Sequence, residues 1–335
     1  MKFGVLLIAP DVSGDHQRDF AELLEQAVAA EELGYDAIWV TEHHSAFGVV
    51  GSPAVLLAAI AMKTRRVRLG SMAAILPYHR PIHIAESYAL VDVLSGGRLE
   101  LGVGRGNLAS ERELHGVDDA TSRATFWENL ATVRSLWGDG PGTEGEASVP
   151  RPVQTPVPIW VAANSLESAE QAADLGLKIA TSPAGGNLDE YKRNMLAIRA
   201  MLESRGLSPE TMEFPLSTFD TYIAPTRETA RADFLEPAFT MHRLMSESGR
   251  RAPVAETPDA FAHRADALGT RLVASPSEAV AFVRDLDATI GLGHFVAATA
   301  QGGLDHELVL ASMTLFAREV MDVVRADSSV RPASV

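Results

Sequence analysis

The chain contains no cysteine among its 335 residues. This absence excludes disulfide bonds, thiol nucleophiles and metal sites that use thiolate ligands. It also suits a reducing compartment, where disulfides are rare. We therefore expect a cytoplasmic protein that is not stabilised by disulfide bonds and does not use thiol chemistry.

Long apolar runs are absent as well. Residues 54–62 form an apolar stretch far shorter than the roughly 20 residues that cross a bilayer. The apolar run at the amino terminus is ended by Pro10 and Asp11, too early for a secretory signal peptide. We expect neither a membrane-bound nor an exported protein.

Basic residues are scarce relative to acidic ones. The chain has 29 Lys and Arg against 44 Asp and Glu, which makes its formal net charge −15. Such a chain repels phosphate backbones, so we expect no nucleic-acid partner. The overall charge is still compatible with one local basic pocket for a single phosphate group.

Short apolar segments alternate with helical patterns along the whole chain. Nearly continuous apolar strands joined by helices indicate a parallel sheet of the α/β class. Eight such units predict a closed (β/α)8 TIM barrel, whereas a doubly wound sheet, the competing architecture, needs fewer. The strands are predicted at residues 3–8, 37–41, 67–72, 99–103, 159–162, 178–181, 217–224 and 294–298.

No change in composition divides the chain, so we predict one barrel domain over residues 1–327 and a frayed tail over 328–335. Two segments interrupt the alternation. Residues 138–156 are rich in Gly, Pro, Glu, Ser and Thr, and residues 236–275 combine Arg, Glu and Pro with mixed periodicity. We expect both to be excursions from the barrel, and the second to be mobile without ligand.

Glu42, His43 and His44 follow directly after the second predicted strand. In a parallel barrel the carboxyl ends of the strands form the face on which chemistry takes place. Imidazole titrates near neutrality and can act as an acid, a base or a metal ligand. Taken alone, the tripeptide could equally be a capping glutamate and two surface histidines.

A second group of polar residues follows the fourth and fifth strands. Arg105 lies in a glycine-rich loop, and Arg123 comes shortly after it. Ser165 and Ser168 stand at the start of the next predicted helix, where backbone N–H groups are unpaired. Two guanidinium groups, two hydroxyls and a helix N-terminus together make a phosphate site. Singly, Ser165 can be an ordinary N-cap and Arg123 a solvated helix start.

Several familiar motifs are missing. The chain has no G-x-S-x-G, no Walker sequence, no G-x-G-x-x-G and no paired-carboxylate motif. We expect no metal site, because metal-ligand spacing is lacking among the remaining candidates, His79, His83, His115, His242, His263 and His294.

Five segments together resemble the bacterial luciferase-like flavin monooxygenase family. The specific ones are GYDAIWVTEHHSAFGVVGSP and LGSMAAILPYHRPIHIAESYALVDVLSGGRLELGVGRG. MKFGVLLIAP, VPIWVAANSLESAEQAADLGL and VASPSEAVAFVRDLDATIG are similar too, so the resemblance runs from about residue 1 to about residue 320.

The resemblance implies a (β/α)8 barrel that uses reduced FMN and dioxygen. It implies an FMNH2-dependent monooxygenase that acts through a flavin hydroperoxide on a small organic substrate, with the reduced flavin supplied by a separate reductase. Members of the family form dimers, so we expect a homodimer. Phe47, Tyr78, Phe239 and Met241 suggest an apolar pocket for an apolar or aromatic substrate, although core packing explains each equally well.

The resemblance also assigns roles to individual residues. His43 matches the catalytic histidine of luciferases, and Glu42 and His44 would orient or polarise it. Residues 236–275 correspond to the mobile active-site loop. The positions expected to contact the flavin are Ala73, Ala74, Arg105, Asn107, Arg123, Asn164, Ser165 and Ser168.

Within this set, Arg105, Arg123, Ser165 and Ser168 correspond to the residues that hold the flavin phosphate, and Asn164 to a neighbour that contacts it through its backbone. The resemblance further implies a non-proline cis peptide at Ala73-Ala74, behind the flavin ring.

The chain departs from luciferases at two positions of the flavin site. Gly104 replaces a reactive cysteine and Pro183 replaces an aromatic residue. These departures argue against light emission more than against flavin binding. Two alternatives stay open, a deazaflavin (F420)-dependent oxidoreductase and a non-catalytic flavin-binding protein.

Overall fold

The computed structural model describes residues 1–139, 149–183, 187–207, 216–248, 257–299 and 302–328. Within these ranges the chain forms a ten-stranded sheet. Its strands are β1 (Lys2–Leu7), β2 (Ala37–Val40), β3 (Arg68–Ser71), β4 (Ala74–Ile75), β5 (Leu99–Gly104), β6 (Ile159–Ala162), β7 (Lys178–Thr181), β8 (Leu216–Ile223), β9 (Arg271–Ala274) and β10 (His294–Ala298).

Eight of these strands close into a parallel barrel. They are hydrogen-bonded in the order β10-β1-β2-β3-β5-β6-β7-β8, and β8 pairs with β10 to complete the ring. The two-residue strand β4 pairs with β5, and β9 pairs with the second half of β8. The predicted (β/α)8 barrel is confirmed, and its eight predicted strands differ from the observed ones by at most one residue at either end.

Helices surround the barrel in the described ranges. They are α1 (His16–Glu32), α2 (Pro53–Lys63), α3 (Pro81–Ser95), α4 (Ala109–Leu114), α5 (Asp119–Leu136), α6 (Leu166–Asp174), α7 (Leu188–Ser204), α8 (Arg227–Glu247), α9 (Pro258–Leu268), α10 (Pro276–Ile290), α11 (His306–Phe316) and α12 (Asp322–Ser328). Proline begins α2, α3, α9 and α10, because its missing N–H needs no partner in the first turn. None of the described helices is long and apolar enough to span a membrane.

The predicted excursion over residues 236–275 is present as an insertion between the barrel strands β8 and β10, and it is built largely of regular elements. Helix α8 continues to Glu247, and α9 and β9 follow within the same segment. Pro237 lies inside α8 and interrupts the helical pattern of the sequence, which explains the mixed periodicity. Residues 249–256 of this segment lie outside the described residues, and the expected mobility of 236–275 stays a prediction.

The other irregular segments are only partly described. Residues 149–158 form no helix or strand and contain cis bonds at Val149-Pro150 and Thr155-Pro156. Residues 140–148, the greater part of the predicted first excursion, lie outside the described residues, as do residues 329–335 of the predicted tail.

Aromatic packing fills the space between the barrel and the helices behind β1 and β10. Phe219 and Phe295 stack at 5.4 Å, and Phe316 lies 5.7 Å from Phe295. Inside the barrel, Trp39 and Trp160 meet edge to face at 5.9 Å and are fully buried. The two indoles therefore fill this layer of the barrel interior.

Candidate active site

A cavity of about 1200 Å³ opens at the carboxyl ends of the strands. Its wall includes nine of the eleven predicted site residues, namely Glu42, His43, Ala73, Arg105, Asn107, Arg123, Asn164, Ser165 and Ser168. The other two, His44 and Ala74, are not part of the wall. The barrel therefore brings Glu42, His43 and the arginine–serine group to one cavity.

His43 stands on the wall between an aromatic ring and a carboxylate. Its ring meets Phe47 edge to face at 4.5 Å, and its Nδ1 lies 3.3 Å from Oε1 of Glu111. That separation exceeds a well-formed hydrogen bond, so we describe it as a close electrostatic contact. A carboxylate at this position favours the tautomer with hydrogen on Nδ1, which makes Nε2 the basic nitrogen of the neutral ring.

Glu111 is a site residue that the sequence analysis missed. It lies on the short helix α4, is 3% exposed, and accepts a hydrogen bond from the backbone N–H of His44 at 2.8 Å. Burial raises the pKa of Glu111, but the contact with His43 and the hydrogen bond from the His44 backbone N–H outweigh it and hold the pKa below its ordinary value. Glu111 is therefore an anion at neutral pH. The signal in the sequence that could have found Glu111 is its position shortly after the fourth predicted strand, residues 99–103.

Glu42 anchors the loops around the cavity. Its buried carboxylate accepts hydrogen bonds from His79 Nε2 at 2.6 Å, from the Ile75 N–H at 2.9 Å and from His44 Nε2 at 3.2 Å. Burial raises the pKa of Glu42, but the bonds from His44 and His79 lower it below its ordinary value. The expected role of Glu42 in orienting His43 stays a prediction, since the carboxylate observed beside His43 belongs to Glu111.

His44 lies behind the cavity wall in an aromatic cluster. Its ring is 4.3 Å from the ring of His115, which stacks on Tyr78 at 4.4 Å. The hydrogen bond to Glu42 raises the pKa of His44, whereas burial lowers that of His115. His44 and His115 thus have opposite tendencies to carry charge. Of the four residues proposed for an apolar pocket, Phe47 lines the cavity, while Tyr78 packs into this cluster.

The predicted phosphate residues converge at the start of α6. Ser165 caps the helix, accepts a hydrogen bond from the Ser168 N–H at 3.3 Å and donates one to Ser168 Oγ at 3.1 Å. Arg123 donates to Ser168 Oγ at 3.3 Å and pairs with Glu167 at 3.4 Å. We call Arg123, Ser165 and Ser168 the phosphate cluster, because cation, hydroxyls and helix N-terminus meet there.

Arg105 and Asn164 are held next to this cluster by contacts of their own. Arg105 donates to Ser122 Oγ at 3.0 Å and pairs with Asp119 at 3.1 Å, so its guanidinium leans toward the start of α5. The backbone oxygen of Asn164 accepts a hydrogen bond from the Asn194 side chain at 2.8 Å. Both residues line the cavity together with Asn107.

The predicted cis peptide is one bond away from the observed one. The non-proline cis bond joins Met72 to Ala73, so its placement at Ala73-Ala74 was wrong. Ala74 belongs to β4, where it pairs with Val103 and is fully buried. Ladder pairing therefore holds Ala74 in the sheet and leaves Ala73 on the cavity wall.

Small residues make one side of the cavity flat. Gly104 faces Ala73 and Ala162 so closely that a Cβ on Gly104 would lie 3.2 Å from Ala73 Cβ and 3.8 Å from Ala162 Cβ. A planar ring can lie against such a surface, and the phosphate cluster lies on the same wall. The residues present therefore fit a flavin mononucleotide.

A further group of residues that line the cavity was also missed. His242 stacks on Phe261 at 4.9 Å, and the guanidinium of Arg271 lies over the same ring at 4.6 Å. Arg264 approaches His242 Nε2 at 3.3 Å, and Arg271 pairs with Asp220 at 3.2 Å. These residues come from α8, α9, β9 and β8, and all of them line the cavity.

Among the described residues, no three His, Asp or Glu side chains are arranged to hold a metal ion. The histidines near the cavity instead contact carboxylates and aromatic rings.

The sequence profile of a family described as luciferase-like monooxygenase matches residues 1–289. The chain is 30% identical over 244 residues to the oxygenase component of flavin-dependent trigonelline monooxygenase from Acinetobacter baylyi, covering 69% of this chain and 67% of that protein. It is also 43% identical over 122 residues to 4-hydroxyprotoasukamycin monooxygenase of Streptomyces nodosus subsp. asukaensis. This match covers 36% of this chain and only 33% of the relative.

Solved structures share the whole fold. A monooxygenase from Streptomyces bottropensis superposes with a TM-score of 0.85 at 28% identity and covers 97% of this chain and 100% of its own. Two structures of lower identity share the fold alone. One is an FMN complex of the oxygenating constituent of 3,6-diketocamphane monooxygenase, with a TM-score of 0.73 at 19% identity. The other is an F420-dependent secondary alcohol dehydrogenase, with a TM-score of 0.71 at 16% identity. The resemblance found in the sequence is confirmed, and the chain belongs to the luciferase-like monooxygenase family.

Proposed function

We propose that the protein is a monooxygenase that binds reduced FMN from a separate reductase and uses dioxygen to oxygenate a small apolar or aromatic organic substrate. One observation carries the proposal: His43 and the phosphate cluster line the same cavity, with the flat surface of Ala73 and Gly104 in its wall. A relative named as the oxygenase component of a flavin-dependent system supports a separate reductase.

Each part of the wall has a defined task in this proposal. The phosphate cluster would bind the FMN phosphate by charge-assisted hydrogen bonds, with Arg105 nearby. Bound reduced flavin would supply the activation of dioxygen, which no amino-acid side chain performs. Ile8, Phe47 and Met72 line the cavity and would exclude water from it.

His43 is the proposed acid–base group. Its Nε2 would accept a proton from the reacting species and return it, while the anion of Glu111 beside Nδ1 would stabilise the imidazolium that forms. The buried carboxylate of Glu42 would hold the surrounding loops through Ile75, His44 and His79. A histidine without such a neighbour would be a weaker base and would accept the proton less readily.

The test of this function is to mix the protein with photoreduced FMN, admit oxygen, and measure oxygenated product from a panel of apolar and aromatic compounds. We expect product only when reduced FMN, oxygen and protein are all present. Binding of F420 with indifference to FMN would support the deazaflavin alternative instead. Flavin binding with no product from any compound, and no effect of His43 substitution, would indicate a binding protein.

We further propose that the protein is a homodimer that joins through α2 and α3. Val55 and Met62 on α2 and Leu90 and Leu94 on α3 are exposed large apolar side chains, between 42% and 70% accessible. Their spacing, seven residues on α2 and four on α3, places each pair on one outer face of its helix. Adjacent apolar faces of this kind mark protein contacts. The cytoplasmic location stays a prediction from the sequence.

A further inference from the structure

The cavity wall contains a second group of basic residues besides the phosphate cluster. We define the distal cluster as His242 of α8, Phe261 and Arg264 of α9, and Arg271 of β9. All four line the same cavity as His43. They need an explanation, because neither the flavin phosphate nor the proton transfer described above uses them.

Contacts within the distal cluster hold its aromatic and basic groups in fixed positions. His242 is 5% exposed and stacks on Phe261, and Arg271 covers the same ring while it pairs with Asp220. Arginine can only donate, so in the contact between Arg264 and His242 the Nε2 of the histidine is the acceptor. The cluster therefore presents hydrogen-bond donors beside a rigid apolar surface.

The charge of the cavity wall is opposite to the charge of the chain. Among the described residues, the wall contains four arginines and two carboxylates, whereas the whole chain carries −15. Arg123 belongs to the phosphate cluster, with Arg105 as the second arginine proposed for the flavin phosphate, and Arg264 and Arg271 belong to the distal cluster. A wall that concentrates cations in an acidic protein favours an anionic ligand at each of these two groups.

We propose that the distal cluster binds the carboxylate of an organic-acid substrate, with Arg264 as its donor. A guanidinium has five N–H donors in a planar fork that matches a carboxylate, so it can hold this group in addition to its contacts within the protein. Met245 and Phe47 line the same cavity and would take the apolar body of the acid, and Phe47 also contacts the ring of His43. This inference rests on the proposed function and narrows its substrate class to acids with an apolar or aromatic body.

A purely structural role is the competing explanation for Arg264. It would then join α9 to α8 through His242, as Arg231 of α8 does through its ion pair with Asp266 of α9 at 2.6 Å. Arg231 is not among the residues of the cavity wall. It therefore provides a matched control, since its loss removes a connection between the same two helices without touching the proposed site.

The experiment measures binding by calorimetry to protein loaded with oxidised FMN. The probes are phenylacetate and octanoate, each compared with its neutral amide of the same skeleton. We expect each acid to bind at least about tenfold more tightly than its amide, because a charge-assisted contact is lost in the amide. Arg264→Gln should abolish the difference, Arg264→Lys should keep part of it, and Arg231→Gln should keep all of it.

Two results would overturn the inference. One is an acid that binds the parent protein no more tightly than its amide, and the other is an equal loss in Arg231→Gln and Arg264→Gln. A parallel titration with F420 and with its tail-less core separates the two sources of an anionic group. If Arg264→Gln weakens only intact F420, the cluster serves a cofactor tail and the substrate inference is wrong.

The failure of the proposed function is measured separately. FMN affinity of the parent protein tests the flavin site, and we expect Arg264→Gln to leave it unchanged. If FMN does not bind at all, the proposed function fails, and the acid–amide comparison on the flavin-free protein still decides whether the distal cluster recognises carboxylates.

Discussion

At the scale of single residues, the contact between His43 and Glu111 determines the expected chemistry. General acid–base catalysis is typically worth about 10²–10⁴-fold in rate. We therefore expect His43→Ala to reduce single-turnover product yield from bound reduced FMN at least about a hundredfold, while reduced-FMN affinity changes only a few-fold. The exposed His83 on α3 supplies the control His83→Ala, which should react like the parent. If His43→Ala turns over like the parent, His43 has a structural role and the catalytic assignment is wrong.

Arg123 is the residue on which phosphate recognition depends. Arg123→Ala should weaken FMN binding by about 1.5–3 kcal/mol, because a charge-assisted hydrogen bond is lost. Arg105→Ala should act in the same direction. Riboflavin, which lacks the phosphate, should bind weakly and respond to neither change. Fluorescence titration measures both affinities, with Arg193→Ala on the exposed face of α7 as the control. If the parent binds FMN and riboflavin with equal affinity, the protein does not recognise the phosphate and the assignment of the phosphate site is wrong.

The bond between Glu42 and His44 predicts a pH-dependent stability. The raised pKa of His44 means that its contribution is complete below 6.5 and is lost as pH rises through the higher folded-state pKa. The lowered pKa of Glu42 means that its contribution is present above 4.5 and is lost as pH falls through the lower folded-state value. The pair therefore stabilises the fold most between pH 4.5 and 6.5.

His44→Gln tests this expectation by urea unfolding. The difference in free energy of unfolding between parent and variant should be larger at about pH 5.5 than at about pH 8.5. His83→Gln provides a control whose difference should stay small at both values. If the difference in free energy of unfolding between parent and His44→Gln is instead larger at the alkaline pH, the assigned direction of the His44 pKa is wrong.

At the scale of elements, the close approach of β5 to β3 leaves no room at Gly102. A Cβ there would lie 1.9 Å from the backbone oxygen of Ser71. Because backbone cannot give way as a flexible side chain can, Gly102→Ala should destabilise the protein by more than about 2 kcal/mol or prevent its folding. Gly104→Ala, whose nearest contact would be Ala73 Cβ at 3.2 Å, should cost less. Denaturant unfolding of both variants decides, and equal stability would contradict the steric argument.

The short elements matter for function more than their length suggests. Helix α4 has six residues and supplies Glu111, and β9 has four and supplies Arg271. Neither was predicted, because α4 follows a glycine-rich loop and β9 lies in the segment of mixed periodicity, so no clear pattern marks either element. Glu111 and Arg271 were missed for this reason. His242, Phe261 and Arg264 were missed because no local pattern shows that α8 and α9 bring them together.

At the scale of the whole molecule, the apolar outer faces of α2 and α3 predict the oligomeric state. Sedimentation should show a dimer, and Val55→Glu combined with Leu90→Glu should give a monomer, because two charges would be buried in the contact. Leu196 on α7 is similarly exposed, 44%, and Leu196→Glu should leave the dimer intact. A parent protein that sediments as a monomer would contradict the proposal.

The sequence by itself determined the barrel, because strand burial and helix periodicity are local properties that a single chain displays residue by residue. It also placed Glu42, His43, Arg123, Ser165 and Ser168 on one face, since carboxyl ends of barrel strands converge. Local pattern likewise carried the family resemblance, which the family profile confirms.

Only the tertiary structure decided which partners these residues have. The His44 backbone meets Glu111 across 67 positions in sequence, and Arg271 meets Asp220 across 51. Such contacts depend on closure of the barrel and on the angle at which α4, α8 and α9 pack, so no local pattern encodes them. The pKa directions of Glu42, His44 and Glu111 follow from the same contacts and from burial, and they too are properties of the folded chain.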